Sequence, residues 1–404
     1  MKYSTKAARL VILLMLSAVV FAVVGGVAAQ DSIKTLITGR QMGPDDIPTL
    51  DPSLMQDVNS VQVGSEFFPG LANLDEEKVT VGPGIASSWD VSADGMTYTF
   101  HLMDNVPWVH YNADSGAVEE IKDDAGNVMM VTAQDFAYAI QRTLDPKTAG
   151  PYQGVLAPWI VGGAEFVASD PDASDADRQT LIDALGIKVI DDHTLAITEP
   201  LPSSVFPVIA TMWVTWAEPQ AVIEANGEFW TDPENIATYG PFTMKDWQHG
   251  GGGSLTMIKN PFWPGTPNSP VSKIDEVQFV FLDQDPQLAN FEAGSLDVSE
   301  VPQDAVDRIK ADATLSQAYF VGPGTCTYYY GFGSLEAPFD DPSVRLAFSE
   351  AIDRQSIVEN ITKAGQIPAS YLSLPSLVAA PTEAEYPGGG VYTNIDDAKA
   401  RWEA

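Results

Sequence analysis

The sequence predicts an α/β protein of more than one domain, and three observations carry that expectation. Its 404 residues are too many for one ordinary domain and enough for two or three. Short runs with period-two alternation recur along the chain, as in Tyr98, Phe100 and Leu102 between Thr97, Thr99 and His101. Between such runs lie capped stretches with helical spacing, as in Phe136, Ala137, Ile140 and Leu144 after Thr132.

The first 29 residues stand apart. Lys2, Lys6 and Arg9 precede an apolar run from Leu10 to Val24, and Val27-Ala28-Ala29 supplies small residues for cleavage. That order reads as a secretory signal removed after Ala29, with an uncleaved anchor as the alternative. Without the signal the chain keeps 18 Lys and Arg against 55 Asp and Glu, a net charge of −37. Such a chain repels nucleic acid and anionic lipid, so neither is expected as a partner. The acidic excess reads as a solubilising surface, or as a preference for cationic ligands. The lone cysteine, Cys326, is far from the cleavage point, so no lipid anchor through an N-terminal cysteine is expected. In an exported protein an odd cysteine is a free thiol, an intermolecular bond or one half of a disulfide.

From there the elements follow in order. Asp51-Pro52 reads as a turn. Thr97–Leu102 reads as a half-buried strand. Residues 112–130, rich in acids and glycines, read as a long polar loop. Thr132 can cap a helix with Asp135 three residues on, and Asp145-Pro146 ends it. Residues 169–178 form an acidic stretch that lacks the order and turn glycine of a calcium loop, so it reads as a solvated loop or helix start. Strands are expected at 194–198, 254–258 and 276–282, with His249 to Ser254 as a flexible hairpin connection. Thr327-Tyr328-Tyr329-Tyr330 favours a strand. Pro342 suits the first turn of a helix with Val344, Ala347, Phe348, Ala351 and Ile352 on its apolar face. Asp353 can cap another helix carrying Ile357, Val358 and Ile361, and a helix starts near Asp396.

The chemistry of an enzyme is hard to find. The four histidines, His101, His110, His193 and His249, sit in no metal-ligand spacing, and no metalloprotease or serine-hydrolase motif occurs. No pair of carboxylates stands out from the acidic background as a glycosidase pair. Nine tryptophans and thirteen tyrosines supply a core and leave some rings for a cleft.

A series of strings resembles the bacterial extracellular solute-binding proteins of family 5, and within them the periplasmic oligopeptide-binding branch. Gly84-Ile85-Ala86-Ser87-Ser88-Trp89 is followed by Asp94 to Leu102, then by Val131 to Tyr138 and Gln141-Arg142. Next come Asp145 to Tyr152, Ile190 to Leu195, Tyr239-Gly240-Pro241-Phe242 with Asp246-Trp247, Gly294 to Asp297, and Cys326 to Tyr330. Pro338 to Arg345 and Ala351 to Arg354 complete the series. The strings fall in order from about Asp51 to Trp402.

The resemblance implies an α/β fold of the type II periplasmic-binding class, with three lobes around a hinged cleft. Residues 30–68 and 220–325 would form the first lobe, 69–219 the second, and 326–404 an incomplete third. It implies a receptor of an ABC importer, a monomer serving a permease and ATPase complex. Short peptides would be bound in extended form and released unchanged, with no cofactor and no catalysis. Backbone pairing gives affinity without demanding a peptide sequence, and hydrated side pockets tolerate many side chains.

Carried over by motif, Tyr152 closes the Pro-Lys-Thr-Ala-Gly-Pro-Tyr string as a ligand-facing tyrosine, and Tyr329 is a pocket tyrosine. Gln56 and Val58 occupy the segment that pairs with the peptide backbone, and Glu300 is a further contact. Cys326 corresponds to one half of a disulfide whose other half, like the aspartate that receives the peptide ammonium, is expected beyond residue 404. The chain departs from the pattern at Gly331 and Gly333 after the tyrosine triplet, at Pro69 before Gly70-Leu71, and in the length of 112–130. Oligosaccharide or a metal chelate is the alternative ligand on the same fold. A secreted hydrolase is the rival from another class.

Overall fold

A computed structural model of the chain describes residues 33–39, 45–75, 80–322, 324, 326–374 and 380–403. The expected signal and its cleavage site lie outside these residues. The chain divides into two units, one up to Ser299 and one from Glu300. Residues 300–325, expected with the first lobe, therefore fall in the second unit.

Among the described residues the strands follow in order: β1 (Thr35–Thr38), β2 (Ala72–Asp75), β3 (Thr80–Pro83), β4 (Ala86–Val91), β5 (Thr97–Leu102), β6 (Val109–Asn112), β7 (Ala117–Glu120), β8 (Ile187–Asp191), β9 (Thr194–Thr198), β10 (Phe242–Gln248), β11 (Ser254–Lys259) and β12 (Glu276–Val280). The longer helices are α1 (Val58–Phe67), α2 (Ala133–Leu144), α3 (Asp175–Asp183), α4 (Gln220–Asn226), α5 (Gln284–Glu292), α6 (Pro342–Ala351) and α7 (Ile395–Glu403).

The first unit is built on two four-stranded sheets. One has the order β1-β12-β11-β10, with β1 parallel to β12 and Thr35 opposite Glu276. This pairing joins the start of the described chain to a strand more than two hundred residues later. The other sheet, β4-β5-β9-β8, is antiparallel throughout and inserted between the two parts of the first. Its strand β5 shows the expected alternation: Tyr98, Phe100 and Leu102 are buried, and Thr97, Thr99 and His101 are half-buried. A strand packed on one face and wet on the other reads this way.

Helix α2 covers the inserted sheet through Phe136, Ala137, Ile140 and Leu144, all buried. Its start is fixed by Asp135, whose carboxylate accepts the Thr132 backbone N–H at 2.8 Å and the Thr132 hydroxyl at 3.0 Å. One continuous core runs through the unit, with Phe67, Phe68, Trp108, Phe136, Trp230 and Tyr239 among its largest members.

Two local expectations change. Residues 112–130 are no loop: β6 and β7 pair as an antiparallel hairpin, and Lys122 bridges Val128 beyond it. The segment is polar because both faces of the ribbon meet solvent over much of its length, so the alternation that marks a strand is missing. Thr327–Tyr330 forms no strand. Its three tyrosines are exposed, and none of the described strands pairs with it.

The acidic stretch becomes the start of α3, with Ser174 accepting the Asp177 N–H. In the second unit α6 and α7 pack together through Phe348 and Trp402, whose ring centroids lie 5.8 Å apart, and through Arg401 and Glu350 at 2.9 Å. Asp353 caps a short turn, Arg354–Ser356, that widens over Ile357–Thr362 and leaves Ile361 exposed.

Candidate functional site

The Asp51-Pro52 turn is where the site begins. Leu54 and Met55 donate their N–H groups to the Asp51 carbonyl, so the chain folds tightly back just before α1. The Asp51 side chain points inward and meets Arg142, in the last turn of α2. The guanidinium grips it with two bonds, Nη1 to Oδ1 at 2.7 Å and Nη2 to Oδ2 at 2.6 Å. Trp230 Nε1 adds a third at 2.9 Å. Arg142 Nη1 also reaches Glu218 Oε2 at 3.0 Å. The other Glu218 oxygen accepts from Ser53 twice, from the backbone N–H at 3.0 Å and from the hydroxyl at 2.7 Å. Ser53 Oγ lies 2.9 Å from Thr143 Oγ1.

Asp51, Ser53 and Glu218 are buried, and a buried charge persists only when paired and fully hydrogen-bonded. Here two carboxylates share one guanidinium. Burial pushes the Glu218 carboxyl up to about 7, against the pull of Arg142 and with the repulsion of Asp51. Burial disfavours the charged form of Arg142 as well, but the charges of Glu218 and Asp51 overcome it and hold the guanidinium protonated well above its usual range.

The chain leaving this cluster is fastened again at Met55, whose side chain is buried and whose carbonyl accepts from Trp213 Nε1 at 3.0 Å. Asp57 then caps α1, accepting from Ser60 N at 2.9 Å. Between these fixed points Gln56 is exposed, and Val58, the first residue of α1, is 65% exposed. Tyr152 is half-buried, with its ring edge-on to Trp213 at 4.9 Å between centroids. The turn before it passes so close to the first segment that a Cβ at Gly150 would overlap the Ser53 carbonyl oxygen.

The structure thus brings three of the expected residues, Gln56, Val58 and Tyr152, onto neighbouring segments tied together through Trp213. Tyr329 and Glu300 belong to the second unit. Tyr329 is 69% exposed in an irregular stretch, and Glu300 is half-buried. Cys326 is exposed beside the same stretch. Among the described residues, no three histidine, cysteine or acidic side chains converge as a metal site, and no helix is long and apolar enough to cross a membrane.

Sequence reasoning did not find the Asp51–Arg142–Glu218 cluster. Arg142 is 91 residues from Asp51 and 76 from Glu218, so no local spacing links them. One signal was present: Glu218 is a single charge at the end of the largely apolar run Met212 to Ala217.

Comparison with known proteins gives this geometry its place. The family model described as bacterial extracellular solute-binding proteins, family 5 Middle, matches residues 80–404. This chain belongs to family 5. Among curated family 5 relatives, the periplasmic oligopeptide-binding protein OppA of Escherichia coli is 30% identical over 361 residues, covering 88% of this chain and 60% of its own. The oligopeptide-binding protein OppA of Bacillus subtilis is 29% identical over 335 residues, covering 81% and 55%. The solved structure of the Escherichia coli murein tripeptide-binding protein MppA superposes with a TM-score of 0.72 at 26% identity, over 92% of this chain and 65% of that one. The fold is therefore the mixed α/β fold of periplasmic binding proteins of this type. The chain spans about 60% of the length of the curated Escherichia coli relative.

Proposed function

We propose that this chain is the exported substrate-binding receptor of an ABC importer, that it holds short peptides in extended form, and that it performs no covalent chemistry. The observation that carries the reading is the surface of Gln56, Val58 and Tyr152, outward-facing side chains on backbone fixed from behind, in a chain of family 5. Fixed backbone with open side-chain space suits a ligand recognised by its main chain, because affinity then depends little on peptide sequence.

In this reading the 53–58 segment offers backbone groups to the peptide and Tyr152 packs against it. By the family resemblance, Tyr329 and Glu300 are further proposed ligand contacts. Hinge closure holds the ligand and presents the loaded receptor to a permease and ATPase complex. The receptor acts as a monomer in the periplasm or at the cell exterior.

Native mass spectrometry on the protein purified from cells that export it tests the reading. The expected result is a ladder of short peptides, released unchanged on mild denaturation. A bound glycan, a bound metal chelate or chemically altered peptides would each overturn it.

A further inference from the structure

The cluster is built on two buried carboxylates, and it lies directly behind the segment assigned to ligand binding. Asp51 is 5% exposed and Glu218 is fully buried. Asp51 forms the turn and accepts the Ser53 N–H on Oδ1 at 3.1 Å, and Glu218 holds Ser53 by both the same N–H and the hydroxyl. Trp213 holds Met55, two residues further on. Gln56 and Val58 follow at once. The backbone course of 53–58 is therefore dictated by side chains that arrive from the end of α2 and from the residues ahead of α4, far away in sequence.

We infer that Glu218 and Arg142 are positioning residues for ligand binding: they fix the course of the 53–58 segment through Ser53 and Asp51, and so set peptide affinity without touching the peptide. The inference rests on the receptor reading above and adds the residues that pre-form its site. A segment already held in its binding course does not have to be ordered by the ligand, so the ordering cost is removed from the binding step. The geometry separates the two roles. Glu218 Oε2 completes the guanidinium pairing that anchors the end of α2. Glu218 Oε1 accepts both bonds from Ser53, and so acts on the segment.

The test uses the full-length exported protein, with Ala-Ala-Ala and Lys-Lys-Lys as peptide probes. Glu218→Ala removes both acceptors. Glu218→Gln keeps the shape and a carbonyl oxygen for Ser53. Ser53→Ala removes only the hydroxyl tie. Amide hydrogen exchange at residues 53–58, measured without peptide, is expected to quicken about tenfold in Glu218→Ala and to return to within a few-fold of the parent in Glu218→Gln, the size expected when one buried hydrogen bond is lost or kept. Peptide affinity is expected to follow the same order, with the loss in the dissociation rate.

Unchanged exchange at 53–58 in both Glu218→Ala and Ser53→Ala would overturn the inference whether or not any peptide binds. So would a lowered unfolding midpoint with unchanged affinity, which is what a purely structural cluster gives. If Glu218→Ala does not fold, Ser53→Ala decides by the same two readouts. A parent protein that binds neither peptide, while its 53–58 exchange responds as expected, would count against the receptor reading and leave the positioning of the segment standing.

Discussion

Tyr152 carries two kinds of contact at once, an edge-on packing against Trp213 and a face left half open. Aromatic pairs of this geometry contribute about 0.5–1.5 kcal/mol beyond their buried area. Tyr152→Ala is therefore expected to lower stability by roughly 1–2 kcal/mol in denaturant unfolding. In titration calorimetry with Ala-Ala-Ala it is expected to weaken binding at least tenfold. Binding at full strength in a folded Tyr152→Ala protein would remove this residue from the site. Tyr152 was legible because it ends a distinctive local string, Asp145 to Tyr152, that the family resemblance picks out. Arg142 stands only ten positions earlier, in another string of the same resemblance. Its role was not legible, since everything it grips comes from distant parts of the chain. A string identifies a residue that faces outward from its own turn. It does not identify one whose meaning lies in tertiary pairing.

At the scale of elements, what could be read was what is half-buried. Strand β5 shows its alternation because one of its faces is packed, and α2 shows its spacing and its Thr132–Asp135 start because one stripe is packed. The β6–β7 hairpin escaped for the opposite reason. Its stability comes from backbone pairing and from side-chain ties such as Asn112, whose Oδ1 accepts the N–H groups of Asp114 and Ser115 at the turn, and such ties leave no periodic signature. The Tyr239-Gly240-Pro241-Phe242 string also gains a reason at this scale. Gly240 lies against the end of α1, donating its N–H to the Phe67 carbonyl at 2.9 Å. A Cβ there would overlap the Glu66 carbonyl oxygen and press on the backbone of Phe67. Backbone cannot swing aside as a side chain can, so Gly240→Ala is expected to cost about 2–4 kcal/mol, in the upper range for single substitutions. A chemical-denaturation midpoint within error of the parent would show that α1 can shift freely against β10, contrary to the close approach seen here.

For the molecule as a whole, acidity and burial act in the same direction on stability. Glu199, buried at the end of β9, finds no hydrogen-bond partner for either carboxyl oxygen among the described residues, and burial pushes it up to about 7. Glu218 is pushed up to the same range, and burial raises Glu66 and Asp135 as well. A carboxyl raised in the folded state binds its proton more tightly folded than unfolded. For the two glutamates the folded state is thus favoured below the ordinary value of 4.5, and that advantage is lost as pH rises through about 7. Lowered carboxyls act oppositely. Asp46 is one, where the bonds from Trp247, His249 and Gly250 outweigh partial burial, and its contribution is lost only as pH falls below its ordinary 3.8. Rising pH also adds negative charge to a chain with 55 acidic residues, and self-repulsion grows with it. The three effects together place maximum thermal stability near pH 5, with a decline toward pH 8. Glu199→Gln keeps the side-chain shape and cannot ionise, so it is expected to flatten the decline while leaving the midpoint at pH 5 little changed. Calorimetric scans of the parent and the variant across pH 4 to 8 measure both slopes. A parent protein more stable at pH 8 than at pH 5 would mean that Glu199 finds a partner when ionised, and that the bonds from Arg142 and Ser53 keep Glu218 ionised in the fold.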